Sequence, residues 1–148
     1  MIQLRLMVPS LLLGVLLIAV SCGKKAPPFL PTKEFSVKIT NLRGEWVEGS
    51  VLLRGDISGP TGSQKVTDLV KGCRVDYGQY PLKNPPCAGC PIEYGRFHEF
   101  GPEVVTEGGL FCKVPARMKQ QIYFFKVHLM GPDNTEGPPS NRIRLDVE

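Results

Sequence analysis

Gln121-Ile122-Tyr123-Phe124-Phe125-Lys126-Val127-His128-Leu129-Met130 is the segment on which the fold reading turns. Tyr123, Phe125, Val127 and Leu129 share one parity, and Phe124, Lys126 and His128 share the other. A strand sends successive side chains to opposite faces, so this period of two predicts a strand with the first set turned into a core. His128 is thereby expected to face away from that core.

The same alternation recurs to either side. Phe35, Val37 and Ile39 alternate with Ser36, Lys38 and Thr40, after which Asn41-Leu42-Arg43-Gly44 reads as a turn. Ser50 to Ile57 carries Val51, Leu53 and Ile57 on one parity and ends at Ser58-Gly59-Pro60-Thr61-Gly62-Ser63, through which no strand continues. Gly72 to Tyr77 sets Cys73, Val75 and Tyr77 on one face, and Leu110, Cys112 and Val114 share a side further on. In Ile92 to Phe100 the parity of Tyr94 opposes that of Phe97, so its inward face is left open. The last strand alternates Ile143, Leu145 and Val147 with Arg142, Arg144 and Asp146. Trp46, the single tryptophan, is expected to cover the rim of the core, because an indole has a large apolar area to shelter.

Glycine and proline, 16 and 14 of 148 residues, are spread between these apolar segments, as suits short strands joined by turns. Six or seven strands with no amphipathic helix of useful length predict an all-β, immunoglobulin-like antiparallel β-sandwich of about seven strands. Tyr123-Phe124-Phe125-Lys126-Val127, the loop Gly131 to Gly137 and then Pro138-Pro139-Ser140-Asn141-Arg142-Ile143 resemble the closing two strands of a fibronectin type III domain. Val51-Leu52-Leu53 with Gly59-Pro60 resembles its second strand, although the tryptophan usual near there is absent, and Gly72 to Tyr77 resembles its third. The resemblance covers roughly residues 35 to 148, with an expanded middle. It implies that Tyr123 serves as the corner tyrosine that ties a loop to its strand.

Ahead of this domain, Arg5 supplies a positive start and Leu11 to Val20 an apolar run of about ten residues, the length of a secretory signal and half of what a spanning helix needs. Leu17-Ile18-Ala19-Val20-Ser21-Cys22-Gly23 resembles the bacterial lipoprotein lipobox, with Ala19 at −3 and Ser21 at −1. The resemblance implies a signal peptide over residues 1–21 and a diacylglycerol and palmitate-type modification on Cys22 at the mature terminus. Gly23 after the cysteine implies an outer-membrane destination facing the periplasm. Gly23-Lys24-Lys25-Ala26-Pro27-Pro28-Phe29-Leu30-Pro31 reads as an extended, semi-rigid spacer, making residues 22–34 a lipidated tether and 35–148 the sandwich. Lys24 and Lys25 stand where anionic headgroups would meet them, at about 1 kcal/mol each.

Loss of Arg5 with the signal leaves a charge of about +3 from 18 basic and 14 acidic residues, and the basic ones form no run. Nucleic-acid binding needs a concentrated basic face and is therefore not expected. Cys73, Cys87, Cys90 and Cys112 are an even set in an oxidising compartment, which points to disulfides. Cys73 and Cys112 have inward parity on different strands, so a bridge across the sandwich is the favoured pairing, with Cys87-Ala88-Gly89-Cys90 closing on itself. Two other chemistries remain. Zinc on four thiolates has the count but only one of the two Cys-x-x-Cys knuckles usual in structural sites. A redox-active Cys87-x-x-Cys90 would need a helix start to acidify its first thiol, and Pro86 and Pro91 flank it instead. Covalent haem fails, since Pro91 stands where histidine is required.

No catalytic residue, metal site or cofactor is assigned. His98 and His128 have no nucleophile elbow or phosphate loop beside them. Glu103, Glu107, Asp133 and Glu136 lack the ligand density of a calcium loop. The expected function is a non-enzymatic, lipid-anchored lipoprotein of the cell envelope that binds a protein or polysaccharide through the Gly131 to Gly137 hairpin and the Cys87 to Tyr94 insertion. An outer-membrane assembly factor is a second reading, since Cys22-Gly23-Lys24-Lys25-Ala26-Pro27-Pro28 is similar to the start of small lipoproteins of that kind. A thiol redox protein is the third.

Overall fold

Eight strands divide between two four-stranded antiparallel sheets in the computed structural model, which describes residues 35–59 and 66–148. The signal peptide, Cys22 and the tether lie outside the described residues. The strands are β1 (Lys38–Val47), β2 (Ser50–Ser58), β3 (Gly72–Pro81), β4 (Arg96–Phe100), β5 (Val105–Thr106), β6 (Gly109–Pro115), β7 (Gln121–Met130) and β8 (Ile143–Val147). A four-residue helical turn, α1 (Val66–Leu69), precedes β3. One sheet has the order β1-β2-β6-β5 and the other β4-β3-β7-β8. The all-β sandwich read from the alternation is thus the fold, with β5 a two-residue addition to the expected seven. Among the described residues, no helix is long and apolar enough to cross a membrane.

The core is the set that parity selects. Val51, Leu53, Cys112 and Val114 from one sheet meet Cys73, Val75, Tyr123, Phe125, Val127 and Leu129 from the other, all buried. Burying each large apolar side chain here contributes roughly 1.5–3 kcal/mol before chain entropy is subtracted. The Tyr123 hydroxyl donates to the Met118 carbonyl at 3.0 Å, the corner contact that the resemblance implied. Trp46 is half-buried against the core and donates its indole N–H to Ala116 O at 3.3 Å, so it covers the rim as expected.

One expectation is corrected. Asn41-Leu42-Arg43-Gly44 is not a turn; β1 runs through it, and its register against β2 slips by one residue between Thr40 and Arg43. This is a β-bulge. Asn41 takes a φ of 52°, which asparagine tolerates, and the extra residue lets Leu42 point into the core. The Asn141 side chain holds the bulge by accepting from Leu42 N at 2.8 Å and donating to Leu42 O at 3.0 Å. The chain reverses instead at Glu48-Gly49, both with positive φ as a two-residue hairpin demands.

Candidate functional site

The outer face of the β4-β3-β7-β8 sheet is where parity alone misleads. Asp76 on β3 and His128 on β7 point away from the core, yet they are only 7% and 8% exposed, the one carboxylate and the one imidazole that are buried among the described residues. Two segments cover them. The chain between β3 and β4 folds back across Gly78, where a Cβ would sit 2.5 Å from Glu93 O and 3.2 Å from the Ile92 side chain, so the insertion needs glycine beneath it. Tyr80 fixes it by accepting from Glu93 N at 2.9 Å. From the other side comes the loop between β7 and β8, whose Gly137 carbonyl accepts from His128 Nδ1 at 3.0 Å.

Between these segments lies a continuous chain of contacts. Lys126 Nζ stands 4.6 Å from the centre of the Tyr94 ring and 3.7 Å from Asp76 Oδ2. That oxygen faces His128 Nε2 at 3.5 Å, and His128 Nδ1 is 3.1 Å from Glu136 Oε1. Arg74 holds the other Asp76 oxygen at 3.0 Å while its guanidinium covers Phe97 at 4.3 Å, and Arg142 approaches Phe124 at 5.8 Å. Cations over aromatic faces thus repeat across this sheet, each contact contributing roughly 0.5–1 kcal/mol where exposed. Burial pushes the Tyr94 phenol up, with Arg142 pulling the other way.

His128 Nε2 is buried with no hydrogen-bond partner. Its Nδ1 lies against the Gly137 carbonyl, and Nε2 faces the Asp76 carboxylate at 3.5 Å. Asp76, His128 and Glu136 bring one ligand-type atom each within 4.8 Å of one another, the geometry of a three-ligand cation site. Arg74 and Lys126 already neutralise Asp76, and that opposes a further cation beside it. What the arrangement does well is hold two loops in fixed relation over a rigid sheet. Replacing Asp76 with alanine should cost about 2 kcal/mol of stability, short of the full penalty for a broken buried pair because Arg74 and Lys126 are about one-third exposed and can turn to water. Urea unfolding of both chains measures this; equal midpoints would mean that Asp76 couples nothing.

The cysteines separate into two pairs. Cys87 and Cys90 are joined by a disulfide, with Cα atoms 5.3 Å apart, in irregular chain on the exposed insertion. Cys73 and Cys112, expected to bridge the two sheets, stand instead as free thiols buried in the core. The four therefore do not gather as a zinc set would require. His98 stacks on Tyr77 with ring centroids 5.4 Å apart. The two loops named from sequence do converge on one face, but Asp76, Lys126 and His128, which join them, were not read from the sequence. The available signal was the apolar outward parity of Ile122 and Phe124, which marks a strand covered on both sides.

No protein-family model matches this chain, and no curated protein does. Among solved structures, the third fibronectin III domain of a human protein superposes with a TM-score of 0.55 at 16% identity, over 86% of this chain and 92% of that one. A structure titled as a myokine gives a TM-score of 0.50 at 12% identity, over 76% of this chain and 98% of that one. At such identities the likeness speaks for the fold, and the fold is that of a fibronectin type III-like β-sandwich.

Proposed function

We propose that this chain is a lipid-anchored lipoprotein of the cell envelope that carries its sandwich on a proline-rich tether and binds a protein or polysaccharide partner without catalysis. The observation that supports the binding reading is the convergence of the Cys87 to Tyr94 insertion and the Gly131 to Gly137 loop on the Lys126-Asp76-His128 line. Loops fixed on a rigid sheet lose little entropy when they bind, which favours recognition. The exposed Phe97 and the half-buried Arg74 and Lys126 there are the aromatic and cationic groups that binding faces use. Fold alone does not fix function, so the reading rests on this face of the sheet. The redox reading lacks support, since no helix begins at Cys87 to acidify a thiol.

The test compares the acylated wild-type chain with a Tyr94→Ala, Lys126→Ala variant, both immobilised in vesicles and offered envelope protein extract or purified envelope polysaccharide. One component retained by the wild type and reduced at least tenfold by the variant is the expected result. Equal retention by both chains, or turnover of an offered substrate, would refute the reading.

A further inference from the structure

The outer face of the β1-β2-β6-β5 sheet bears exposed side chains where its counterpart is covered. Ladder register sets three of them in a row: Arg43 of β1 stands opposite Arg54 of β2, and Arg54 opposite Phe111 of β6. The next row is Glu45, Leu52 and Lys113. Arg43, Glu45, Arg54 and Asp56 are exposed, and Phe111 is 48% exposed with the Arg54 guanidinium 5.3 Å from its ring centre. Like charges directly opposite in a ladder are destabilising, and nothing relieves the arginine pair. Glu45 follows Arg43, and Asp56 follows Arg54, by two residues on the same face. Even so, no ion pair or side-chain hydrogen bond among the described residues is made by Arg43, Glu45 or Arg54. Asp56 gives one oxygen, Oδ2, to Asn41 Nδ2 at 2.8 Å. On the other sheet, by contrast, Arg74 and Lys126 are both committed to Asp76.

Of these, Arg43, Glu45, Leu52, Arg54, Asp56 and Phe111 line one groove of about 660 Å³. A second hollow of about 500 Å³ continues it past Asp56, Thr106 and Gly109 to Thr67 of α1. The outline is an open trough across three strands, which suits a chain lying along it better than a small molecule enclosed on all sides. Two guanidiniums and two carboxylates balance within the groove, so it selects no net charge in a ligand. What it offers is hydrogen-bonding capacity of both kinds, donors from Arg43 and Arg54 and acceptors from Glu45 and Asp56, beside the apolar ring of Phe111. The geometry points to a binding site for a neutral oligosaccharide. Neighbouring hydroxyls of a sugar donate to a carboxylate and accept from a guanidinium, each bond strengthened by the charge on the protein side. The C–H face of the sugar ring covers Phe111. This site lies on the opposite sheet from the Lys126-Asp76-His128 line and does not depend on that line binding a partner.

The full-length chain is offered short immobilised chains of glucose, mannose, galactose or N-acetylglucosamine, with polygalacturonate as the acidic comparison, at low and at high salt. One neutral chain should be retained equally at both, because salt screens charge pairs and an uncharged ligand makes none. Arg54→Ala should weaken retention by about tenfold or more, the scale of hydrogen bonds lost from a charged donor. Phe111→Ala should weaken it by about as much through loss of the apolar platform. Both side chains are exposed, so the unfolding midpoints of these variants should match the wild type. Glu45→Gln keeps the shape and removes the charge, and should weaken retention by about threefold. The Tyr94→Ala, Lys126→Ala variant should retain the sugar as the wild type does. Retention of no neutral chain overturns the inference, as does binding of polygalacturonate alone that high salt removes, or equal retention by the wild type and the Arg54→Ala and Phe111→Ala variants. So does a change of oligomeric state, without change in sugar retention, when this face is substituted. Loss of the sugar only in the Tyr94→Ala, Lys126→Ala variant would assign it to the other sheet, overturning this inference while supporting the proposed function.

Discussion

Truncating Phe125 to alanine should destabilise the domain by about 3–5 kcal/mol and lower its unfolding midpoint by roughly 10–20 °C. Phe125 is fully buried at the middle of β7, with Tyr77 and Tyr123 ring centroids at 5.8 and 5.9 Å. Its β-ladder neighbours are Tyr77 of β3 and Ile143 of β8, so a cavity there loosens three strands at once. Strands hydrogen-bonded on both sides collapse poorly into a void, which places the cost toward the upper end. Domains of this size have about 5–15 kcal/mol in all, so the variant will be marginal. Phe125→Leu keeps most of the volume and should lose under about 1.5 kcal/mol. Guanidinium unfolding of the three chains gives the comparison. A loss below 1 kcal/mol for the alanine variant would place the centre of the core elsewhere.

The second large effect concerns attachment. Changing Cys22 to alanine should abolish acylation outright, because the thiol is the only atom of that side chain able to carry a thioether. One acyl chain binds a bilayer marginally, whereas two or more anchor it stably, so partition into detergent should fall from nearly complete to the level of a free domain once the signal is removed. Mass spectrometry of the N-terminal peptide decides this directly. A wild-type envelope peptide beginning at Cys22 and heavier by the mass of its acyl chains is expected. A wild-type peptide with a free Cys22 thiol, or one beginning at Met1, would count against the anchor.

The β7 strand was legible to the residue, from Gln121 to Met130, because its period of two extends across ten positions and both of its neighbours leave the pattern undisturbed. The final strand, Ile143–Val147, was equally plain. Legibility failed where one local pattern stands for two structures. Asn41-Leu42-Arg43-Gly44 has the composition of a turn, and only the distant Asn141 makes it a bulge. The site failed for a different reason. Outward parity on β3 and β7 implied solvent for Asp76 and His128, but burial on that face depends on where an insertion of irregular chain comes to rest, which no periodicity encodes. The pairing of loops with that face was nonetheless foreshadowed, since the Cys87 to Tyr94 excursion and the Gly131 to Gly137 hairpin were the two segments singled out from sequence.

Asn141 has a consequence beyond holding its bulge. Its amide offers one acceptor and one donor to the backbone of β1, an outermost strand, just as a peptide unit of another polypeptide would. Open strand edges invite pairing between molecules. A side chain that impersonates the missing neighbour occupies part of that edge beforehand. Neighbouring copies would then have less to zip onto, and each would stay a single folded unit rather than the seed of a fibre.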